Sequence, residues 1–220
     1  MDEQTQVMLG DTLPSMQITT TDGVKNLPQD YNGKWLILFS HPGDFTPVCT
    51  TEFVSLANRV DEFKALNTEL LGLSVDGLNP HFKWMEWIEE NADTTIPFPI
   101  IADPLGNVAN TLGMVHPKKG AKTVRKLFII DPNGVVRLTM TYPPEIGRSV
   151  DEVLRALNAL QMSDKYKMVA PENYPNNSWL GDAMIFPPPT TEQQINARLS
   201  GMKDDKYECK DWWFCYKKPQ

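Results

Sequence analysis

The chain has 220 residues, 41% of them hydrophobic, which is enough to bury a full core and is long for one average domain but short for two. Its formal charge of −7 and its scattered basic residues argue against nucleic acid as the main partner, because phosphate binding draws on clustered Lys and Arg. No run approaches the ~18 apolar residues of a membrane span, and Met1-Asp2-Glu3-Gln4 lacks the basic start and apolar core of a signal peptide, so a cytoplasmic location is expected. In such a reducing compartment the three cysteines are poor material for a disulfide framework.

In chain order, Leu9 to Leu27 is polar with spaced apolar positions, and Thr20-Thr21-Asp22-Gly23 reads as a turn between two short strands. Trp35 to Phe39 is an apolar run that fits a strand buried on both faces. After it, Phe53, Leu56, Ala57, Val60 and Phe63 recur at helical spacing and predict one helix running to about Leu66. Cys49 therefore sits at a strand-to-helix junction. Unpaired N–H groups and the positive end of the helix dipole lie there, and both favour a thiolate, the nucleophilic form of cysteine. A free cysteine also serves as a small buried hydrophobe. The prolines and glycine that shape the loop, with Thr46 three residues back, favour the reactive reading.

Leu70 to Val75 predicts a second buried strand, and the aromatic-rich Pro80 to Asn91 a helix started by Asn79 or the preceding turn. Phe98 to Asp103 reads as a short strand, and Val108, Ala109 and Leu112 mark a short helix ending at Gly113. Lys126 to Ile130 and Val135 to Met140 flank Asp131-Pro132-Asn133-Gly134, whose Asn-Gly pair supplies the positive φ of a hairpin turn. The capping box Ser149-Val150-Asp151-Glu152 opens a helix buried along Val150, Val153, Leu154, Leu157 and Leu160. This order implies an α/β sandwich with a mixed sheet. From Ser163 the texture turns to Pro, Asn, Trp and charge, with Pro187-Pro188-Pro189 as a stiff spacer, so the expected division is 1–162 and 163–220. The aromatic end, Lys210 to Tyr216, is either an interface or buried against its own domain.

The pattern Pro42-x-x-x-Thr46-x-x-Cys49, within the run from Phe39 to Glu52, resembles the peroxidatic-cysteine signature of the peroxiredoxins. The longer run resembles their one-cysteine-like subfamily of peroxiredoxin 6, and the order of later segments agrees along nearly the whole chain. The resemblance implies a thioredoxin-like fold, although Cys49 has no Cys-x-x-Cys partner and simple disulfide exchange at the loop is not expected. It implies a thiol peroxidase that reduces hydrogen peroxide and organic hydroperoxides to water and alcohols through a Cys49 sulfenic acid, with no cofactor and no metal. Pro42 then shields the cysteine, Thr46 orients the peroxide, and His41 lies beside the site. Thr123-Val124-Arg125 aligns with the segment of the family's active-site arginine, and Gly147-Arg148-Ser149 resembles a second arginine site. Read from the residues alone, Arg148 is equally a solvated residue ahead of a helix cap, and His81 and His116 carry no signal.

Cys209 and Cys215 form Cys-x5-Cys, which is neither a zinc knuckle nor a thioredoxin pair. The tail resembles archaeal-type members whose C-terminal cysteine resolves the sulfenic acid of a neighbouring subunit. By that resemblance Cys215 is the resolving thiol and Cys209 takes up a later disulfide with it. The implied partners are peroxides, a thioredoxin-like or small-thiol reductant, and further copies of the chain, as dimers and pentamers of dimers. Lys34 stands where lipase-active members of the subfamily carry a serine, so no lipase activity is expected. The competing reading is an oligomeric redox-sensing holdase in which the aromatic tail does the work.

Overall fold

A computed structural model describes residues 7–115, 122–203 and 207–219. Met1-Asp2-Glu3-Gln4 and His116 lie outside these residues. The chain divides between Val150 and Asp151 into two compact units. The division falls twelve residues before the expected boundary at Ser163, so that the capped helix groups with the tail.

The first unit is built on a seven-stranded mixed sheet. Its strands are β1 (Met16–Thr20), β2 (Gly23–Leu27), β3 (Trp35–Ser40), β4 (Thr68–Ser74), β5 (Ile100–Ala102), β6 (Arg125–Ile130) and β7 (Val136–Tyr142), in the spatial order β2-β1-β5-β4-β3-β6-β7. The central strands β3, β4 and β5 are parallel, and the outer pairs are antiparallel. Every residue of β3 is buried, as its unbroken apolar run requires. The expected Asp131–Gly134 turn joins β6 to β7, but only Gly134 takes a positive φ, of 79°. Asn133 does not need one, because Asp131 Oδ1 accepts from the backbone N–H groups of both Asn133 and Val135 and organises the turn itself.

Alternation along β3 gives the sheet two faces. Leu36 and Leu38 join Leu71, Leu73, Ile101, Phe128 and Ile130 in one hydrophobic cluster. On the other face Phe39 meets Phe53 and Phe98 edge to face. Phe53 belongs to α1 (Pro47–Asn58), which is followed by α2 (Val60–Ala65). The single helix expected here is broken at Arg59, whose φ of −114° and ψ of 14° lie off the helical values. Gly72 on β4 lets α1 come close, since a Cβ there would lie 3.2 Å from the Phe53 ring. Helix α3 (Leu78–Ala92) starts from Gly77 rather than Asn79 and buries His81, Trp84 and Ile88. The short helix α4 (Asn107–Thr111) completes the unit.

The second unit contains α5 (Val150–Tyr166), β8 (Met184–Ile185), α6 (Glu192–Lys203), β9 (Glu208–Asp211) and β10 (Phe214–Lys217). Its three strands form a small sheet in the order β8-β10-β9. Tyr216 is buried there beside Leu180 and Ala183, while Trp179 and Trp213 stay more than half exposed. Among the described residues no helix is long and apolar enough to cross a membrane.

Candidate active site

Beyond Ser40 the chain leaves the sheet and turns into α1. Phe45 adopts a positive φ of 55° in the turn, a conformation uncommon for a bulky residue. Thr46 stands immediately before the first helical residue, and Pro47 occupies the position where a missing N–H loses no helical bond. Cys49 is thus the third residue of α1, as the strand-to-helix junction predicts, and its side chain is fully buried. Thr46 Oγ1 donates to the Gly43 carbonyl at 2.9 Å, which commits its proton and leaves lone pairs for an incoming donor. Pro42 and Thr46 are both half-buried.

Two arginines converge on this helical turn. Arg125 opens β6 two residues before Leu127 and points to the Phe39 face. Its Nη1 donates to Cys49 Sγ at 3.2 Å and to Glu52 Oε2 at 2.8 Å. Its Nη2 reaches the Pro144 carbonyl at 3.3 Å. Arg148 is not a solvated residue ahead of a cap: its side chain is 4% exposed. It grips Glu52 through Nε and Nη2, both at 2.8 Å, and through its backbone N–H at 2.7 Å. Nη1 donates to the Ser40 carbonyl at 3.0 Å, and the guanidinium lies over the Phe39 ring. Burial alone would raise the Glu52 carboxyl, but the hydrogen bonds and charge of Arg148, with the charge of Arg125, hold it below its usual range.

A second buried polar cluster starts at His41. His41 Nε2 lies 2.9 Å from Asp44 Oδ1, and His81 Nδ1 lies 2.7 Å from Asp44 Oδ2. All three side chains are almost wholly excluded from solvent. The Asp44 backbone N–H donates to Asp76 Oδ2, which also accepts from Ser74 Oγ. The His41 ring stacks on Trp84 and meets Phe53, one helical turn after Cys49, edge-on. Trp84 Nε1 donates to Thr50 Oγ1 at 3.2 Å, tying this cluster to the residue beside Cys49. Burial pushes the His41 imidazole below its ordinary value, against the upward pull of Asp44.

Residues 9–139 match the AhpC/TSA family. The chain is also 57% identical over 210 residues to peroxiredoxin 1 of Caldanaerobacter subterraneus subsp. tengcongensis, covering 96% of this chain and 98% of that one. The chain belongs to the peroxiredoxins. Its fold resembles that of a yeast mitochondrial 1-Cys peroxiredoxin, with a TM-score of 0.84 at 36% identity, covering 97% of this chain and all of the other. It also resembles a cysteine-to-serine mutant of the peroxiredoxin 6 of Arenicola marina, with a TM-score of 0.82 at 29% identity, covering 97% and 99%. As a peroxiredoxin the protein is a thiol peroxidase with a thioredoxin-like fold.

In this peroxiredoxin Cys49, Thr46, Pro42, His41, Arg125 and Arg148 all lie in the first unit, while Cys209 and Cys215 lie in the second. The two tail cysteines face each other across β9 and β10 and are bonded to one another, leaving Cys49 as a free thiol. Three residues of the buried network carried no expectation from the sequence: Glu52, Asp44 and His81. The signal for two of them was present. Glu52 falls with Cys49, Phe53 and Leu56 on the buried stripe of α1, and His81 falls with Trp84 and Ile88 on that of α3. An ionisable group inside an apolar stripe requires a buried partner.

Proposed function

We propose that this peroxiredoxin reduces hydrogen peroxide and organic hydroperoxides to water and alcohols at Cys49. The observation that carries the proposal is the 3.2 Å hydrogen bond from Arg125 Nη1 to Cys49 Sγ. A guanidinium at that distance supports negative charge on sulfur and on the departing oxygen, because it stays charged and offers several donors in a fixed fork. The thiolate attacks one peroxide oxygen, the S–O bond forms as the O–O bond breaks, and the departing oxygen leaves as water or alcohol after taking up a proton. Cys49 is left as a sulfenic acid. Thr46 Oγ1 accepts from the peroxide O–H, Pro42 screens the sulfur from bulk water, and His41 and Arg148 complete the substrate shell.

Cys215 then attacks the sulfenic acid of a neighbouring subunit, releasing water and forming a disulfide. Cys215 is bonded to Cys209 in this structure, so a resolving Cys215 must first be released from that bond. A thioredoxin-type or small-thiol donor supplies the electrons. The yeast relative is described as resolved through glutathione and thioredoxin systems, which supports this reading. The working assembly is a homodimer built into a decamer, acting in the cytoplasm. Non-reducing electrophoresis after one equivalent of peroxide tests the scheme on fully reduced protein. Wild type should crosslink between chains, Cys215→Ser should not, and Cys49→Ser should neither crosslink nor turn over peroxide. Crosslinking by Cys215→Ser at the wild-type level would remove Cys215 from the scheme.

A further inference from the structure

The two sulfurs of the Cys209–Cys215 disulfide in the second unit are not equally placed. Cys215 lies on β10, the middle strand of the small sheet, and is fully buried. Cys209 lies on β9, at the edge of that sheet, and is half-buried. A thiolate that opens a disulfide approaches along the S–S axis, from behind the sulfur it attacks, so access decides which sulfur reacts. Cys209 and Cys215 face each other across β9 and β10, and an approach behind Cys209 therefore comes from the open edge of the sheet. An approach behind Cys215 comes from the side of β8. There Ile185 pairs with Tyr216, and Phe186 donates its backbone N–H to the Cys215 carbonyl at 2.9 Å. Charge adds to the asymmetry. Cys215 Sγ lies 3.4 Å from the Asp211 carbonyl oxygen and 3.8 Å from that of Trp212, and their partial negative charges repel an incoming thiolate. Once the bond opens, the Asp211 oxygen is placed to accept from the Cys215 S–H.

We propose that Cys209 is the sulfur at which the thiol donor attacks and that Cys215 is the leaving thiol. The inference deepens the recycling step proposed above and rests on that reading for its consequence. The donor's thiolate forms an S–S bond with Cys209 as the Cys209–Cys215 bond breaks. The electron pair of the broken bond leaves on Cys215 Sγ, which takes a proton from water. A second thiolate, from the same dithiol donor or from another molecule of a small thiol, then attacks the donor sulfur. The Cys209 thiolate departs and is protonated, the donor is oxidised to its disulfide, and the cysteine pair has gained the electron pair the donor lost. The order of these steps matters. Attack at Cys209 frees Cys215, the thiol assigned to resolution, in the first step, whereas attack at Cys215 would cap it.

Full-length Cys49→Ser protein with the tail disulfide closed tests the assignment without peroxide. Glutathione is added, the reaction is stopped early with excess N-ethylmaleimide, and peptide mass spectrometry locates each group. Glutathione on Cys209 with maleimide on Cys215 should exceed the reverse arrangement by about tenfold or more at the earliest quench. The reverse arrangement, or an even mixture at that time, overturns the proposal. A second measurement reads access alone, with no exchange between the two sulfurs. Cys209 in reduced Cys49→Ser/Cys215→Ser should react with iodoacetamide about tenfold or more faster than Cys215 in reduced Cys49→Ser/Cys209→Ser. Equal rates, or a faster Cys215, overturn the proposal as well. All three proteins lack Cys49, so neither result depends on peroxide reduction. Peroxide consumption that survived Cys49→Ser would instead end the peroxidase reading and leave the tail assignment standing, so the two failures are distinguishable.

Discussion

Glu52 Oε2 lies 2.8 Å from both Arg125 Nη1 and Arg148 Nη2, so one carboxylate holds two buried guanidinium groups together. The same Arg125 nitrogen reaches the sulfur of Cys49, three residues before Glu52 on α1. The helical spacing that places Glu52 beside Cys49 thereby fixes the cation at the sulfur. Through these contacts the Glu52 carboxylate sets where the guanidinium beside the sulfur can be.

Replacing that charge tests the arrangement. Glu52→Gln leaves two buried arginines without their shared anion, and breaking a buried pair costs about 3–5 kcal/mol. Urea unfolding should show a lower midpoint with an unchanged slope. The rate of peroxide reduction should fall as well, because Arg125 loses the contact that aims it.

Arg125→Lys separates charge from shape. Lysine keeps the positive charge but has no fork with which to serve Cys49 and Glu52 together. Loss of one aimed donor at a charge-developing oxygen typically lowers a rate by about 10²–10³-fold. Stopped-flow measurement of sulfenic acid formation should show a fall of that order, and an unchanged rate would remove the guanidinium from the reaction.

The buried titrating groups set the acid limit of the fold. His41, Glu52 and Asp44 are all held below their ordinary values of 6.5, 4.5 and 3.8. A group with a lowered folded pKa takes up its proton more readily when unfolded, so its stabilising effect is present above the ordinary value and is lost as pH falls toward the folded one. Stability should begin to fall below about pH 6.5 through His41 and fall more steeply below about pH 4.5 as Glu52 and then Asp44 contribute. Each group adds a slope of at most about 1.4 kcal/mol per pH unit. Chemical denaturation at half-unit pH steps measures it, and His41→Asn should flatten the first limb.

Packing of α1 on the sheet gives a prediction remote from the charges. Gly72→Ala places a Cβ 3.2 Å from the Phe53 ring, and the ring is wedged between Phe39 and Trp84. Overpacking of this kind costs about 1–3 kcal/mol. The thermal midpoint should drop, and the peroxide reaction should slow because Phe53 and Cys49 sit on one helix.

Much of this was legible in the sequence because the local signals agreed with one another. The run from Trp35 to Phe39, the Asp131–Gly134 turn and the prolines around Cys49 each state a backbone geometry without tertiary information. The motif ending at Cys49 pointed to that sulfur and the resemblance to Arg125 and Arg148, and the structure brings these side chains together around one turn of α1. What stayed hidden was pairing across the fold. Glu52 and Arg148 are 96 residues apart, and Asp44 and His81 are 37 apart, so no periodicity links them. The break at Arg59 was hidden for the opposite reason, since the apolar spacing runs through it unchanged. The tail cysteines were visible as a pair, but their spacing alone does not fix which partner each takes.

Trapping the oxidised cysteine tests the central claim most directly. A Cys209→Ser/Cys215→Ser double variant, given one equivalent of hydrogen peroxide and a sulfenic-acid-specific nucleophile, should form a single adduct at Cys49, located by peptide mass spectrometry, at the wild-type rate of peroxide loss. Peroxide consumed at that rate with no adduct at Cys49 would contradict the account.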